Sequence, residues 1–451
     1  MKREIYEDLL KWKNSRNRKP LLLQGVRQCG KTYILKEFGK ENYEDVAYFT
    51  FEDNPDLNET FQKDLDTKRI LDYLGFARNK KIEPERTLII LDEIQLCNRA
   101  LTSLKFFCEN APEYHLACAG SLLGVMLSEP GSFPVGKVRR ITMFPMTFEE
   151  FLLANSEDLL VEHMKNNDPT EALPLILVNK LTSYLDYFFL TGGMPAAVAS
   201  WIAERDIEEV DTILEEIIKD YMDDFSKHAP THVTKLTLIW RSIPMQLARE
   251  NKKFIFGHVK EGARAKDLED ALEWLVDAGL VYKVKKTNNP QIPLAMYNDN
   301  THFKVYMMDI GILRKMAKMP SDFLFSKDKE YDDFRGAITE SFILNELITH
   351  TKDVPYYWRS ERDAEVDFVV QINKIVVPIE AKAGNNKSKG LAEYIRTYGP
   401  KVAITTTPRK YSGCVVKHIP LYSIWRVKEY VAGISEAQAD KHFESGENRI
   451  D

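Results

Sequence analysis

The chain has 451 residues, of which 44% are hydrophobic and 29% are charged, and its formal net charge is −6. This length predicts two to four domains with sizeable cores, and the composition is that of a globular protein. The slightly acidic balance excludes a uniformly basic nucleic-acid binder, so any contact with DNA or RNA must be local.

Cysteine usage and hydropathy predict the compartment. The five cysteines are scattered and form no CxxC pair, which predicts reduced thiols rather than disulfides or a zinc site. The N-terminal segment carries acidic residues and lacks an apolar core, so we expect no signal peptide. No run of 18 apolar residues occurs, and we expect no membrane contact. These features together predict a cytoplasmic protein.

The first chemical motif is the stretch GVRQCGKT, which runs from Gly25 to Thr32 and fits the phosphate-loop (Walker A) pattern G-x-x-x-x-G-K-[ST]. An apolar run at 21–24 precedes it, and a helical pattern that we expect to end at Gly39 follows it. Glycines let the backbone N–H groups of such a loop wrap a triphosphate, and the alternative is a chance glycine turn. Lys31 is expected to reach the β- and γ-phosphates, and Thr32 to ligate Mg²⁺. The residues predicted to contact ATP are Gly25, Val26, Arg27, Gln28, Cys29, Gly30, Lys31 and Thr32.

A second apolar run, from Thr87 to Leu91, ends in the acidic pair Asp92 and Glu93, a Walker B-type arrangement. Open α/β sheets bind ligands at the carboxyl ends of their strands, so this pair predicts a metal and water site near the phosphate loop. Asp92 is expected to hold Mg²⁺ through water, and Glu93 to orient the attacking water as a base. A solvated turn is the alternative.

Further strands predicted at 46–51, 115–119 and 138–143 complete a parallel sheet with helices on both faces. The expected order inserts a strand between those that carry the phosphate loop and Asp92. Ser121 follows the 115–119 strand. It is predicted to sense the γ-phosphate or to cap the helix LLGVML, and the two roles can coexist.

The middle of the chain is predicted to be helical from about 148 to 230, with TGGMP at 191–195 as a tight turn used for packing or, alternatively, for nucleotide contact. Residues 235–297 suggest a winged helix that ends in a hairpin with TNNP at its tip. Its helix at 266–278 carries five carboxylates and one lysine, which would repel DNA phosphates. We therefore expect a packing surface or a protein-partner surface, while lysines around the hairpin leave backbone contacts to nucleic acid open.

Charged residues recur in two predicted C-terminal strands, AEVDFVV and NKIVVPIEAKA, which we expect to be joined by a turn near Asn373. Asp367 lies in the first strand, and Glu380 and Lys382 lie two residues apart in the second and so share a side. Asp367 and Glu380 could chelate Mg²⁺, whose bound water would attack a phosphodiester while Lys382 positions it. A salt-bridged hairpin with no activity is the alternative.

The signals in this order resemble the AAA+-type ATPases, and more closely a bacterial and archaeal group in which such an ATPase is fused to a C-terminal domain of unknown function. The resemblance rests on LLKWKNSRNRKPLLLQGVRQCGKT, LDEIQ, FPVGKVRRITMFPMTFEEF, FFLTGGMPAAV and YYWRSERDAEVDFVV…VPIEAKAG. It implies ATP and Mg²⁺ as ligands. The family often has an arginine where this chain has Lys137. Arg139 and Arg140 are the substitutes for an arginine finger, or are strand-edge charges.

The spacing of Asp367, Glu380 and Lys382 also resembles the PD-(D/E)xK nuclease core. This second resemblance implies a helical acid as well, a place that Glu340 in the predicted helix GAITESFILNEL matches. It implies DNA or RNA as a substrate of the C-terminal domain.

The predicted fold class is α/β. The predicted domains are an AAA+-type P-loop ATPase core at 1–155, a helical lid at 156–230, a winged-helix-like module at 231–300, a nuclease-like α/β domain at 301–432 and a polar tail at 433–451. The leading hypothesis is an ATPase whose nucleotide state controls the nuclease-like domain. Its rival is a regulatory scaffold in which ATP sets homo-oligomerisation or partner choice through the winged-helix region, and the C-terminal domain only binds.

Overall fold

The structure, a computed structural model, describes residues 1–121, 134–249, 252–321, 331–381, 389–406 and 415–434. The chain divides into two compact units, the first formed by Met1–Pro145 with Asp277–Leu280, and the second by Met146–Val276 with Val281–Asp451. Each unit has its own sheet. Among the described residues, no helix has the length and apolar character needed to cross a bilayer.

The first unit contains a parallel five-stranded sheet. Its strands are β1 (Leu21–Gly25), β2 (Asp45–Thr50), β3 (Thr87–Asp92), β4 (His115–Ser121) and β5 (Arg139–Met143). Their order is β2-β3-β4-β1-β5, which confirms that an inserted strand, β4, lies between the strands that carry the phosphate loop and Asp92. The apolar side chains of β1 and β3 are fully buried, because helices cover both faces of the sheet.

The helices of the first unit are α1 (Ile5–Lys13), α2 (Lys31–Asn42), α3 (Pro55–Gln62), α4 (Thr67–Ala77) and α5 (Asn98–Asn110). The prediction that α2 ends at Gly39 is wrong, since the helix continues to Asn42. A Cβ atom on Gly39 would lie 2.7 Å from Cγ2 of Val46. This glycine therefore allows α2 to pack closely on β2 and does not terminate the helix.

The second unit begins with a run of helices, as predicted. They are α6 (Phe148–Ala154), α7 (Asp158–Asn166), α8 (Leu175–Thr191), α9 (Pro195–Glu204), α10 (Ile207–His228), α11 (Val233–Leu247), α12 (Phe256–Val259) and α13 (Ala265–Asp277). The turn between α8 and α9 packs tightly, because the N–H of Gly193 donates to Oδ2 of Asp309 at 2.6 Å. A Cβ atom on Gly193 would lie 2.2 Å from the Met146 carbonyl oxygen.

The sheet of the second unit is mixed and has seven strands. They are β6 (Val281–Thr287), β7 (Asn298–Met307), β8 (Tyr356–Arg359), β9 (Glu365–Ile372), β10 (Ile375–Glu380), β11 (Ala403–Thr405) and β12 (Val416–His418), in the order β12-β11-β10-β9-β8-β6-β7. Strands β8, β9 and β10 run antiparallel, and β11 and β12 continue parallel to β10. The predicted turn at Asn373 joins β9 to β10 with a left-handed φ of 54°.

The predicted hairpin of the winged helix is only partly right. Strand β7 starts at Asn298, just after the predicted returning strand ends, and a longer connection separates it from β6. The prolines Pro290 and Pro293 lie in that connection and have no N–H to donate to a strand ladder. Strand β6 also pairs with β8, so the boundary predicted at residue 300 runs through one continuous sheet.

The remaining helices are α14 (Ile310–Met316), α15 (Asp332–Thr351), α16 (Lys389–Tyr398) and α17 (Val427–Gly433). Helix α16 lies very close to β9, because a Cβ atom on Gly390 would lie only 1.8 Å from the Glu365 carbonyl oxygen. The predicted tail at 433–451 lies outside the described residues except for its first two positions.

Candidate functional site

The phosphate loop connects the end of β1 to the start of α2, as the motif predicts. Two of its residues are in the left-handed region, Gln28 with φ 61° and Gly30 with φ 97°. A Cβ atom on Gly25 would lie 2.3 Å from the Met143 carbonyl oxygen of β5, so only glycine fits where the loop leaves the sheet. Val26 and Cys29 are buried, whereas Arg27 is half-buried and Gln28 is exposed.

Lys31 lies at the first position of α2, and its side chain is only 7% exposed. Its ammonium donates to the carbonyl oxygens of Gly25 at 3.2 Å and Val26 at 2.8 Å. The charge therefore lies directly over the loop, at the positive end of the helix dipole. Phosphate oxygens entering the loop would compete with these two carbonyls for the ammonium.

An oxygen cluster lies beside the loop, around the buried carboxylate of Asp92. The hydroxyl of Thr32 donates to Oδ2 of Asp92 at 2.8 Å, and the hydroxyl of Tyr48 donates to the same atom at 2.9 Å. Burial, together with the neighbouring Asp92 carboxylate, raises the pKa of Tyr48 to about 12, so Tyr48 stays a donor. A hydroxyl and a carboxylate are the hard oxygen ligands that Mg²⁺ takes, so Thr32 and Asp92 fit this ion.

Glu93 follows Asp92 with a left-handed φ of 51°. Such backbone geometry is costly for a non-glycine residue and is concentrated at functional sites. The side-chain amide of Gln95 donates to Oε2 of Glu93 at 2.5 Å and holds the predicted base. Sequence reasoning did not single out Gln95, although it belongs to the motif LDEIQ.

Ser121 ends β4, where its register partner on β1 is Gly25 of the phosphate loop. It is buried, at 7% exposure, at the same edge of the sheet as Asp92. The helix LLGVML that Ser121 was expected to cap lies outside the described residues.

Arg3 is a site residue that the sequence did not reveal. Its guanidinium donates to the Cys29 carbonyl oxygen at 2.9 Å and to the Phe144 carbonyl oxygen at 2.6 Å, and the residue is 8% exposed. It therefore fixes the phosphate loop to the end of β5. An isolated arginine in the charged stretch MKREIYED resembles surface charge, so no sequence signal identifies it.

The basic residues considered for an arginine finger lie away from this loop within the first unit. Arg139 and Arg140 are exposed and pair with the first two residues of β1, whereas the loop begins at its fifth residue, Gly25. Four residues of strand correspond to roughly 13 Å. Lys137 forms an ion pair with Glu109 at 2.8 Å.

Comparison with known proteins agrees with this geometry. Residues 17–152 match the family model described as an AAA domain, and residues 182–322 and 335–423 match two domains of unknown function, DUF8612 and DUF4143. The first match covers the phosphate loop, the acidic pair and Ser121. Residues 17–152 are therefore similar to AAA-type P-loop ATPase domains. No match was found among curated proteins.

Several solved structures are similar at low identity. The Walker-type ATPase PABY2304 of Pyrococcus abyssi is 14% identical, with a TM-score of 0.44, over 69% of this chain and 95% of that one. The Orc1 protein of Aeropyrum pernix in complex with DNA is 14% identical, with a TM-score of 0.28, over 70% and 91%. Cdc6p from Pyrobaculum aerophilum is 14% identical, with a TM-score of 0.23, over 69% and 92%. Similarity at this level assigns no function to the chain.

Carboxylates also meet in the second unit, at the carboxyl end of β10. The antiparallel register pairs Phe368 with Ile379, which places Asp367 and Glu380 opposite each other on one face. The N–H of Ala381 donates to Oδ2 of Asp367 at 2.8 Å. Burial, followed by the charges of Glu340 and Glu380, raises the pKa of Asp367 well above its usual range.

Glu340 on α15 belongs to the same acidic cluster, but lysine and tyrosine side chains hold its carboxylate. Lys252 donates to its Oε1 at 2.5 Å, and the Tyr306 hydroxyl donates to its Oε2 at 3.0 Å. Burial alone would raise the pKa of Glu340, but the charges of Lys252 and Lys304 outweigh burial and lower it. Lys304 is itself buried and bonded to Glu365 at 2.6 Å. Neither lysine was predicted, because each contacts an acid far away in sequence.

The predicted nuclease residues are thus only partly brought together. Asp367 and Glu380 are neighbours, Glu340 is bound by Lys252, and Lys382 lies outside the described residues. Within the described ranges, no group of three or more His, Cys, Asp or Glu residues is arranged to hold a metal ion. The two predicted metal ligands, Asp367 and Glu380, are thus brought together without a third such side chain in the described ranges.

Proposed function

We propose that this chain is a Mg²⁺-dependent ATP hydrolase whose nucleotide state acts on its C-terminal domain. The observation that carries the proposal is the contact of Thr32 with Asp92 beside a loop whose lysine lies over its carbonyl groups. It joins the two sequence motifs, 60 residues apart, in one oxygen-lined site.

The residues of the site have distinct roles in this proposal. Lys31 would leave the carbonyls of the loop and bind the β- and γ-phosphates, while backbone N–H groups at the start of α2 bind the remaining oxygens. Mg²⁺ held by Thr32 and Asp92 would neutralise phosphate charge. Glu93 would accept a proton from the attacking water, and Ser121 would contact the γ-phosphate.

Titration calorimetry with ATP and Mg²⁺ tests the nucleotide site. The variant Lys31→Ala is expected to weaken ATP binding at least ~100-fold, because it removes a charge that pairs with phosphate in a buried place. Lys40→Ala is the matched control, since Lys40 is exposed on the same helix and pairs with Glu37 at 2.7 Å. Equal affinity in the two variants would refute the site.

The second half of the proposal is that the C-terminal domain is nuclease-like and cleaves DNA or RNA. The meeting of Asp367 and Glu380 on adjacent strands, with Glu340 close by, supports it. The test is a cleavage assay on single- and double-stranded DNA and on RNA, with Mg²⁺ or Mn²⁺ and with or without ATP. Wild type is expected to cut, and Asp367→Asn and Lys382→Ala to lose at least ~100-fold in rate. A wild-type protein that cuts nothing would refute this half alone.

One observation favours the rival function, a regulatory scaffold. Lys252 and Lys304 already supply positive charge to Glu340, so the acidic cluster is compensated by the protein itself. A scaffold would show ATP-dependent change in elution volume on size exclusion, without cleavage of any nucleic acid. If wild type cleaves nucleic acid and Asp367→Asn does not, the scaffold function is excluded.

A further inference from the structure

A cavity of about 440 Å³ lies within the second unit and belongs to neither site described above. Its walls come from the segment before α8, from α8 and α15, and from the chain after β11 and β12. The wall is largely apolar and includes Leu173, Val178, Leu185, Phe189, Ile338 and Leu421. This volume lies in the range of small-molecule sites, and an apolar wall with a few polar groups is their usual composition.

Two buried polar atoms on this wall lack a hydrogen-bond partner among the described residues. One is Oγ1 of Thr406, a residue that is 2% exposed, and the other is Nδ1 of His418. Buried polar groups are nearly always satisfied, because an unsatisfied one destabilises the folded state. Two such atoms on one cavity wall indicate a ligand that completes their hydrogen bonds.

The sheet places both residues where ligands bind in α/β folds. Strands β10, β11 and β12 are parallel, and Thr406 and His418 stand at the carboxyl ends of the last two. The N–H of Ile419 donates to the Thr405 carbonyl oxygen at 3.0 Å, which fixes the two strand ends to each other. Open sheets bind ligands at this edge.

Among the residues that the structure describes, the cavity wall carries two carboxylates, those of Glu171 and Asp186, and one guanidinium, that of Arg335. Burial lowers the pKa of His418, so its ring is neutral at neutral pH and the buried Nδ1 can accept a hydrogen bond in one of the two tautomers. Asp186 on α8 adds a carboxylate, and burial raises its pKa to about 6. Arg335 at the cavity donates to Asp332 at 3.0 Å. A ligand that donates hydrogen bonds, or carries positive charge, fits this set.

We propose that this cavity binds a small organic cation, with an aromatic or branched apolar body against Val178, Leu185 and Phe189, and an amine or amidine head that donates to Asp186, Thr406 and His418. The proposal is independent of ATP hydrolysis and of nucleic-acid cleavage. An anion of the same shape would meet the Asp186 carboxylate and is not expected to bind.

Titration calorimetry on the full-length chain, with benzamidine and its anionic analogue benzoate as probes, tests the proposal. Benzamidine is expected to bind at least ~10-fold more tightly than benzoate at neutral pH, and Asp186→Asn to remove that preference. Absence of benzamidine binding to wild type, or tighter binding of benzoate, would overturn the proposal.

Filling the cavity gives the second test. Val178→Trp places a bulky ring in the cavity from a half-buried position, and it is expected to abolish benzamidine binding. Leu175→Trp is the matched control on the same helix, because Leu175 is 72% exposed and lies off the cavity wall. It should bind as wild type does. If both variants bind benzamidine equally, with unchanged circular dichroism and melting temperature, then benzamidine binds outside the cavity and the proposal is wrong. A crystal structure with a segment of the chain inside the cavity would also refute a small-molecule site.

Discussion

At the scale of residues, the carboxylate of Asp92 is held from three directions. Thr32 and Tyr48 donate to Oδ2, and the N–H of Glu93 donates to Oδ1 at 3.1 Å. The carboxylate of Glu93, by contrast, accepts a hydrogen bond from the side-chain amide of Gln95. The proposed function gives the two acids different tasks: Asp92 would hold the metal ion, and Glu93 would accept a proton.

The variant Glu93→Gln tests this division. The amide cannot take a proton from water, so ATP turnover is expected to fall about 10²–10⁴-fold while ATP affinity stays within about threefold of wild type. Phosphate release and titration calorimetry measure the two quantities. Glu113→Gln, at an exposed position before β4, is the control and should hydrolyse normally. Unchanged turnover in Glu93→Gln would remove this residue from the reaction.

Arg3 makes a prediction about the loop itself. Arg3→Ala removes the buried guanidinium that joins the carbonyls of Cys29 and Phe144. We expect the free energy of unfolding of the first unit to fall by about 1–3 kcal/mol, because the hydrogen bonds from the charged guanidinium are lost and the two carbonyls lose that donor. ATP affinity should fall with it. Urea denaturation and calorimetry check both, and Lys2→Ala, at the exposed neighbouring position, should change neither.

At the scale of elements, helix α16 and strand β9 approach as closely as backbone atoms allow. Gly390→Ala would place a methyl group 1.8 Å from the Glu365 carbonyl oxygen, so the helix would have to move away from the sheet. A loss of about 1–3 kcal/mol or more in the free energy of unfolding is expected from such overpacking. Gly257→Ala on α12 is the control, because the added methyl group meets nothing within 4 Å. If Gly390→Ala loses no more stability than Gly257→Ala, the close contact between α16 and β9 is refuted.

The five strands of the first unit could be predicted because each is a short apolar run with a marked end. Gly25 and Asp92 are such ends, and the observed bounds differ from the predicted ones by at most two residues. The end of α2 was predicted wrongly at Gly39, because a glycine that allows close packing looks the same in the sequence as one that ends a helix. A local sequence pattern indicates which secondary structure a residue favours, but it does not indicate which distant residue that residue contacts.

The same limit explains what was missed in the second unit. The pairing of β6 with β8 joins residues about 70 positions apart, as Lys286 with Tyr357 shows, and no spacing rule predicts it. Lys252 bonds Glu340 across 88 positions. The acids Asp367 and Glu380 could be predicted to meet because a short turn connects their strands, whereas their lysine neighbours could not.

At the scale of the whole molecule, the two units are expected to respond to acid with opposite sign. In the first unit, burial and then the charges of Arg18 and Lys13 lower the pKa of His115 from about 6.5 to about 4. The unfolded chain therefore binds more protons between these values, and stability present above pH 6.5 is lost as the pH falls toward 4. The loss is about 3 kcal/mol. His115→Gln should flatten this slope in urea denaturation followed across pH.

In the second unit, burial raises the pKa of Asp309 from about 3.8 to about 6. Here the folded state binds more protons, so the unit is expected to gain about 3 kcal/mol as the pH falls from above 6 to below 4. Asp309→Asn, whose side chain does not titrate, should remove that gain. Calorimetry of the two unfolding transitions across pH checks both predictions. If the melting temperatures of both transitions shift in the same direction on acidification, and shift equally in His115→Gln and Asp309→Asn, then neither residue has the predicted effect.

The seven-stranded sheet has a practical consequence. Its edge strand β7 is joined to β6 by residues 288–297, while β6 is also bonded to β8 further along the chain. A protease that nicked this connection would leave both pieces hydrogen-bonded in place. The nicked protein would then migrate as one species on a native gel and separate into two bands only in detergent.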